Sequence, residues 1–330
     1  MMRIPLGRSG LSVSRLGFGC MGLAEFYGEA LADAEAEKLL EAALERGVNF
    51  FDTADIYGSG RNEEQLAGFL KRRRNDVVLA TKFAIRRNAD GSLAGLSNDP
   101  DYIRQACDAS LKRLKVDVID LYYMHRRDPS VPIKDSVGAM AGLVKAGKVR
   151  ALGLSEVSAE TLRKANAIHP IAALQSEYSI VTREMEREMI PLCRQLGITF
   201  VAYSPIGRGI LTGAYRSEKD FGKGDYRMAG NPRFTGGALE KNLSLVDQLE
   251  KIAREKRASL AQIALAFVLA KGDHIVPIPG TKKLARLEDN MGALKIALTP
   301  ADIAAIEKAV PEDKGAGARY APSSAASLNR

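Results

Sequence analysis

Four side chains that could move a proton lie at or just after the ends of short apolar runs. Asp52 ends N-F-F-D and Tyr57 follows five residues later, while Lys82 ends V-V-L-A-T-K and His125 ends V-I-D-L-Y-Y-M-H. A phenol, an ammonium, a carboxylate and an imidazole held together are suited to giving a proton to a substrate oxygen. Each residue alone has a structural explanation: a turn aspartate, a loop aromatic, a solvated strand end and a core histidine. Their joint occurrence at such ends favours the chemical interpretation, provided that the fold brings the ends together.

Composition limits the classes of protein to which the chain can belong. Its 330 residues, 46% of them hydrophobic, are enough for a sizeable core. The net charge of +8 is scattered, with Lys71–Arg74 the longest basic run, and no aromatic-interleaved basic stripe predicts nucleic-acid binding. The three cysteines, Cys20, Cys107 and Cys193, have no metal-ligand spacing. We therefore predict no metal site and interpret the cysteines as small buried hydrophobes.

The sequence carries no signal for export or membrane insertion. Its first residues lack an apolar signal core, and no segment is apolar for long enough to span a bilayer. We therefore expect a cytoplasmic protein with no membrane partner and one domain over residues 1–330. From about residue 312 the chain is rich in Ala, Ser and Gly, and we expect this tail to be loosely ordered.

Apolar runs and amphipathic segments alternate along the chain, and this alternation predicts the fold. A hairpin is predicted over residues 3–14, ahead of about eight strand–helix units. Eight parallel strands that alternate with helices form a closed (β/α)8 TIM barrel more readily than an open sheet at this length. Strands are predicted over 15–19, 49–52, 77–81, 118–124, 149–154, 172–175, 198–203 and 275–278. Helices are predicted over 32–45, 62–71, 100–114, 133–146, 159–168, 184–196, 239–256, 259–271, 284–293 and 300–309, with long loops at 88–99 and 207–237.

A doubly wound open sheet is the alternative fold. Gly17, Gly19 and Gly22 match the spacing of a dinucleotide-binding fingerprint. However, no clean helix opens at Leu23, and the next acidic strand end, Asp52, comes too late for the ribose-binding position. The barrel is therefore the predicted fold, and in a barrel the active site lies at the carboxyl ends of the strands. On that rule the four proton-handling residues meet at one mouth.

The motifs at these strand ends resemble those of aldo-keto reductases over roughly residues 3–310. They are F-D-T-A-D-I-Y-G, A-T-K, D-L-Y-Y-M-H, G-L-S-E, Q-S-E-Y-S, Y-S-P-I-G-R-G, and I-P-G-T-K-K with R-L-E-D-N. The segments G-C-M-G, H-R-R-D and G-L-S-E are similar to the bacterial and plant branch with perakine-reductase-like members. The resemblance implies a (β/α)8 barrel with an N-terminal hairpin and long loops at the carboxyl face. It also implies reduction of an aldehyde or ketone with NADPH as the cofactor.

The resemblance gives each of the four residues a role. Tyr57 would be the general acid, and the Lys82 ammonium would lower its pKa by favouring the phenolate. Asp52 would hold Lys82 in place and keep it protonated. His125 would hydrogen-bond the substrate oxygen and orient it.

Residues for the nicotinamide half of the cofactor follow from the same resemblance. Ser155 and Gln175 would bind the carboxamide, and Tyr203 would stack on the ring. Glu156 stands where the family frequently has asparagine, and a carboxylate can accept the carboxamide N–H but cannot donate. The loop after Tyr203 would offer backbone N–H groups to the pyrophosphate, with Arg208 adding charge. The further cofactor residues in these segments are Gly19, Cys20, Met21, Ser204, Pro205, Ile206, Gly207 and Gly209.

A second set between residues 280 and 290 would hold the distal half of the cofactor. Arg286 falls four residues after Lys282, and Asn290 four after Arg286, which predicts one helical face for the three. Arginine is the preferred partner of a phosphate dianion, so the resemblance implies a 2′-phosphate here and favours NADPH over NADH. The set is Gly280, Thr281, Lys282, Arg286, Asp289 and Asn290, with the last two assigned to the adenine.

The substrate pocket is expected at Tyr27, Ala84, Arg126 and Arg127. Ala84 occupies a position where the family often has a large aromatic residue, and the chain has no Trp, which predicts a wider or more polar pocket. The arginines predict a polyhydroxylated or anionic carbonyl compound.

Two other functions fit the same barrel, and the sequence leaves the oligomeric state open. One is a cofactor-binding regulatory subunit with little turnover, as in potassium-channel beta subunits. The other is a barrel enzyme in which Lys82 forms a Schiff base, which requires an unpaired amine.

Overall fold

The structure, a computed structural model, describes residues 1–222, 224–229, 231–312, 314–325 and 328. Residues 223 and 230 of the predicted long loop, and 313, 326, 327, 329 and 330 of the predicted tail, lie outside the described residues. The predicted hairpin is present, with β1 (Arg3–Pro5) paired antiparallel to β2 (Ser12–Ser14). No helix among the described residues has the length and apolarity needed to cross a membrane.

Eight parallel strands follow the hairpin in the described part of the chain, which confirms the predicted barrel class. They are β3 (Phe18–Gly19), β4 (Phe50–Asp52), β5 (Val78–Phe83), β8 (Ile119–Met124), β9 (Val149–Ser155), β10 (Ile171–Glu177), β11 (Thr199–Tyr203) and β12 (Ile275–Pro277). A second small hairpin, β6 (Ile85–Arg87) with β7 (Leu93–Leu96), follows β5. Each barrel strand pairs with its neighbour in chain order.

The first and last barrel strands meet and close the cylinder. Gly17 N donates to Pro277 O at 3.0 Å, and Gly19 N donates to Pro279 O at 3.3 Å. The backbones approach so closely that a Cβ on Gly280 would lie 2.6 Å from Gly19 O. Glycine is therefore required at this seam, and the G-x-G spacing at 17–19 serves barrel closure.

Helices cover the outside of the strands. They are α1 (Met21–Ala24), α2 (Asp33–Glu45), α3 (Arg61–Arg73), α4 (Pro100–Leu114), α5 (Ile133–Lys145), α6 (Ala159–Ile168), α7 (Met189–Leu196), α8 (Ala238–Asp247), α9 (Leu249–Glu255), α10 (Leu260–Ala270), α11 (Leu284–Gly292), α12 (Pro300–Ala309) and α13 (Pro322–Ala325). Their starts follow ordinary capping rules. Asp99 accepts the N–H of Asp101 at 2.8 Å ahead of Pro100, and Ser259 forms a capping box with Gln262.

Three local predictions were wrong. The helix predicted over 239–256 is two helices that join at Gln248, because the apolar periodicity continues across the break. The loop predicted over 88–99 contains β7, whose exposed L-A-G-L segment has too little apolar pattern to mark a strand. The helix predicted from 184 begins at Met189 after a 3-10 turn over Glu184–Glu186.

Two apolar layers hold the barrel together. The outer layer lies between strands and helices, and the inner layer fills the cylinder with side chains such as Phe50, Leu121 and Val201. Leu6 and Val13 of the N-terminal hairpin are fully buried in that inner layer. Each such side chain stabilises the fold by about 1.5–3 kcal/mol through burial. The hairpin therefore seals the end of the barrel opposite the strand carboxyl ends, which leaves those ends as the open mouth.

Candidate active site

An ion pair between Lys82 and Asp52 forms the base of the site. Both side chains are buried, and Lys82 Nζ donates to Asp52 Oδ1 and, at 2.8 Å, to Thr53 O. Gln175 Nε2 donates to the other carboxylate oxygen of Asp52 at 2.8 Å. The ends of β4, β5 and β10 therefore share one hydrogen-bonded unit. This unit links a predicted proton-handling pair to a residue predicted to bind the cofactor.

Tyr57 and His125 lie directly above this pair. Tyr57 begins a 3-10 turn over Tyr57–Gly60, and Lys82 Nζ lies 5.2 Å from the centroid of its ring. The His125 ring meets the Tyr57 ring edge to face, with 5.9 Å between centroids. The structure thus brings all four predicted residues together from β4, the loop after it, β5 and the end of β8.

Burial controls the protonation of these groups. It raises the pKa of Tyr57 well above its ordinary value, Asp52 adds to the rise, and Arg126 opposes it. Desolvation thus outweighs the effect of Arg126, and the direction is opposite to the lowering of the Tyr57 pKa expected from Lys82. Burial also lowers the pKa of Lys82, against the stabilising effect of Asp52, and places the pKa of His125 well below its usual range. His125 is accordingly a neutral imidazole, and its buried Nδ1 has no partner within the described chain.

Backbone strain is concentrated at the same mouth. Ala84, Glu156 and Ser204 directly follow the last residues of β5, β9 and β11, and they have φ values of 115°, 51° and 48°. These left-handed conformations are unfavourable for residues other than glycine and are found preferentially at functional sites. The strain turns the chain sharply out of each strand and so fixes the rim of the mouth.

The residues predicted for the nicotinamide carboxamide are buried at the ends of β9 and β10. Ser155 Oγ accepts a hydrogen bond from Arg126 at 3.2 Å, and Gln175 is held by Asp52. Glu156 Oε1 accepts the N–H of Glu177 at 2.9 Å and the Arg319 guanidinium at 2.5 Å. Within the described chain both contacts use Oε1, which leaves Oε2 for a donor such as a carboxamide N–H.

The chain near its C-terminus contributes residues to the site that the sequence interpretation missed. Tyr320 hydroxyl lies 2.6 Å from the hydroxyl of Tyr203, and the Arg208 guanidinium lies 4.7 Å from the centroid of the Tyr320 ring. Arg319 pairs with Glu156 and Glu184. The sequence signal for this contribution is a charged and an aromatic residue, Arg319 and Tyr320, within a stretch of small residues. These contacts come from a segment whose composition predicts loose order.

The loop after Tyr203 has the backbone shape expected for anion binding, but its arginine, Arg208, is already in an ion pair. Gly207, Arg208 and Gly209 are all left-handed, with φ values of 60°, 56° and 100°. Their turn is stabilised internally, since Gly207 N donates to Ser204 O at 2.9 Å and Gly209 N to Ile206 O at 3.1 Å. Arg208 is turned to Glu177, at 2.8 Å, rather than towards an open groove.

The distal set differs from its prediction in two respects. Helix α11 begins at Leu284, so Lys282 precedes the helix and does not share its face with Arg286 and Asn290. Its Nζ instead donates to Tyr27 O at 2.7 Å. The Asp289 carboxylate accepts from Ser259 at 3.0 Å and from Gln262 at 2.9 Å, so it is hydrogen-bonded to the start of α10.

The remaining distal residues fit a phosphorylated ligand. Among the described residues, neither Lys282 nor Arg286 forms an ion pair, although each lies near the start of α11. Asn290 is buried, and no hydrogen bond to its amide is found within the described chain. Lys282 donates to backbone carbonyls and Arg286 hydrogen-bonds Tyr215, so neither charge is neutralised by a carboxylate. Two such cations beside a buried amide are groups that suit a nucleotide phosphate.

The predicted substrate residues are only partly at the mouth. Phe26 packs edge to face on Tyr57 at 6.2 Å, whereas its neighbour Tyr27 lies beneath the Arg227 guanidinium at 5.1 Å, on the cofactor side. Phe26 has a left-handed φ of 75°, and the two neighbouring side chains contact different parts of the mouth. Ala84 is fully buried and lies under the rim.

The two arginines after His125 differ in their surroundings. Arg126 is buried beside His125 and Ser155, while Arg127 is half-buried with its charge towards Glu160. No cluster of three or more His, Cys, Asp or Glu side chains suited to a metal ion occurs in the described part of the chain.

Comparison with known proteins identifies the family. The model of the aldo/keto reductase family matches residues 15–311. The chain is 46% identical over 327 residues to aldo-keto reductase yakc [NADP(+)] of Schizosaccharomyces pombe, covering 97% of this chain and 96% of the relative. It is 47% identical over 331 residues to aldo-keto reductase str7 of Strobilurus tenacellus, with the same coverage.

Solved structures agree with these relatives. The glycerol dehydrogenase of Gluconobacter oxydans superposes with a TM-score of 0.83 at 28% identity, covering 91% of this chain and 92% of that one. The holo form of an aldo-keto reductase from Bacillus halodurans gives a TM-score of 0.76 at 29% identity, covering 98% and 99%. With the family model, the relatives and the barrel in agreement, the chain belongs to the aldo/keto reductase family.

Proposed function

We propose that the protein is an NADPH-dependent oxidoreductase that reduces an aldehyde or ketone to the alcohol, with Tyr57 as the general acid. The observation that carries this proposal is the buried Lys82–Asp52 pair under Tyr57, with His125 against the same ring. A buried ion pair is costly to assemble, and its position under a phenol in a barrel mouth supports a role in proton transfer.

The four residues would act together on one substrate oxygen. When bound, NADPH supplies the hydride that reduces the carbonyl carbon. The neutral His125 would donate a hydrogen bond to the carbonyl oxygen and hold it next to the Tyr57 hydroxyl. Because the pKa of Tyr57 is raised, the phenol stays protonated until negative charge develops on that oxygen. The Lys82 ammonium and Arg126 then stabilise the phenolate that remains.

The cations near the start of α11, which form no ion pair with any described residue, support NADPH rather than NADH. Lys282 and Arg286 would hold the 2′-phosphate, while Ser155, Gln175 and Glu156 Oε2 would meet the carboxamide. The name of the yeast relative, which includes NADP(+), agrees with this choice. The substrate would be a small carbonyl compound that enters beside Phe26.

The alternatives have less support. A Schiff-base mechanism needs a neutral, unpaired lysine, and Lys82 is held by Asp52 and Thr53. A regulatory subunit without turnover would not need the complete Tyr57, Lys82, His125 and Asp52 set.

The test is steady-state oxidation of NADPH with a panel of aldehydes, ketones and sugars. Tyr57→Phe should lower kcat/KM by at least about 100-fold, the usual contribution of general acid catalysis, while leaving NADPH binding intact. Tyr122→Phe is the matched control: its hydroxyl is buried without a partner in the described chain, and its ring stacks on Phe83 away from the site. Near-normal turnover of Tyr57→Phe would refute the assignment of the acid.

A further inference from the structure

Arg126 is a buried cation that forms no ion pair in the described part of the chain; the Glu156 carboxylate acts on its charge from farther away and is bound by Arg319. It is 8% exposed, and its Nη1 donates to His125 O at 2.7 Å and to Ser155 Oγ at 3.2 Å. Both acceptors are uncharged. Two half-buried arginines near the same mouth differ, since Arg208 pairs with Glu177 at 2.8 Å and Arg319 with Glu156 at 2.5 Å.

An unpaired buried charge is unfavourable unless a partner arrives. Removing a guanidinium from water is strongly unfavourable, and hydrogen bonds to two neutral acceptors offset only part of this free energy. Within the described chain the Nη2 and Nε groups of Arg126 make no hydrogen bond. A guanidinium with one free edge has the fork geometry that matches a carboxylate.

The position of Arg126 places its guanidinium beside the reacting centre. Its hydrogen bonds span from His125, at the end of β8, to Ser155, at the end of β9. Its charge depresses the pKa of His125 and opposes the rise in the pKa of Tyr57. An anion bound to Arg126 would therefore lie near a carbonyl held between Tyr57 and His125.

We propose that Arg126 binds a carboxylate of the substrate, so that the preferred substrates are short oxo acids rather than neutral carbonyl compounds. The inference rests on the proposed reductase function and specifies its substrate class. The hydroxyl groups of a sugar would hydrogen-bond the same edge but would leave the charge uncompensated. A carboxylate satisfies both the charge and the geometry.

The experiment compares matched acid and ester substrates in the full-length enzyme with NADPH. The pairs are succinic semialdehyde with its methyl ester, and para-carboxybenzaldehyde with its methyl ester. The wild type should favour the acid of each pair in kcat/KM. Arg126→Gln should reduce that acid-to-ester ratio by about 10- to 100-fold, as expected for loss of a charge-assisted hydrogen bond, mainly through KM. A merely structural role would lower both members of a pair equally and leave the ratio unchanged.

Two further variants and one binding measurement complete the design. Arg126→Lys keeps the charge and should give an intermediate ratio. Arg104→Gln removes an exposed arginine that is paired with Asp101 on α4, and the ratio should stay at the wild-type value. Calorimetry with succinate should give a Kd at least about tenfold weaker for Arg126→Gln, independently of turnover.

The outcomes separate this inference from the proposed function. If the wild type reduces the esters as well as the acids, and the ratio is the same in Arg126→Gln and Arg126→Lys, the carboxylate assignment is wrong while the reductase function stands. If the wild type oxidises NADPH with none of the carbonyl compounds, the proposed function itself fails. A falling ratio together with weaker succinate binding supports the assignment.

Discussion

Replacing Asp52 with Asn tests whether the pair at the base of the site is ionised. Asp52 is 2% exposed and Lys82 is fully buried, so the change leaves an ammonium in the core without its counter-charge. Breaking a buried pair by removing one partner costs about 3–5 kcal/mol. Asn can still accept one hydrogen bond, so we expect a loss near the lower end, about 3 kcal/mol of unfolding free energy at neutral pH.

The pH dependence has a definite sign. Burial lowers the pKa of Lys82 in the folded state, and loss of Asp52 lowers it further, while the unfolded chain keeps a pKa of about 10.4. Between these two values the unfolded state binds more protons, so stability rises with pH. The destabilisation of Asp52→Asn should therefore be largest near neutral pH and shrink as the pH approaches about 10.

The assay is urea unfolding followed by far-ultraviolet circular dichroism, because the chain has no Trp for fluorescence. Asp101→Asn is the matched control: that side chain is 78% exposed and its pair with Arg104 lies on the surface, so its effect should stay within about 0.5 kcal/mol. Adding Lys82→Met to Asp52→Asn should restore part of the stability by removing the stranded charge. A loss of unfolding free energy below about 1 kcal/mol at neutral pH would refute an ionised pair, and so would an equal loss at neutral pH and near pH 10.

Three further predictions address the cofactor, the imidazole and the barrel seam. Arg286→Ala should raise the KM for NADPH by about tenfold or more and leave that for NADH unchanged, because only NADPH carries the 2′-phosphate; an undiminished preference for NADPH contradicts this. Since the pKa of His125 lies well below its usual range, a plot of kcat/KM against pH should show no inflection near 6.5 attributable to this residue. If the wild type shows such an inflection and His125→Asn or His125→Gln removes it, the prediction that His125 is neutral is wrong. Gly280→Ala should destabilise the fold by about 1–3 kcal/mol because its Cβ would lie 2.6 Å from Gly19 O. Gly138→Ala in α5, which meets nothing within 4 Å, should be neutral or stabilising, and equal effects of the two changes would refute the close seam.

The barrel and the four central residues could be predicted from local sequence. Helical and strand periodicities depend on neighbouring residues, so the order of the elements could be predicted from local sequence. The helix bounds predicted at 100–114 and 159–168 agree with the structure. Once the barrel is assumed, strand ends must share a face. That rule brought Asp52, Lys82 and His125 to one place without any contact being known.

Errors in the predicted elements arose where a helix begins or breaks without a change in amino-acid composition. The break at Gln248 divides one amphipathic pattern into two helices. The prediction that Lys282 shares a helical face assumed that α11 starts two residues earlier than it does. The start of α11 follows an extended Lys283, with a φ of −125°, and residue type does not determine such a dihedral.

By itself, the sequence determined the fold class and the position of the motif N-F-F-D-T-A-D-I-Y-G at the barrel mouth, because periodicity is local. Only the tertiary structure decided how the charges of the mouth are distributed. Arg319 reaches Glu156 across 163 residues, and Arg208 pairs with Glu177, while Arg126 forms no ion pair with any described residue. Such pairings depend on where loops place long side chains and on which charges are desolvated together, and neither quantity is encoded in the spacing of residues along the chain.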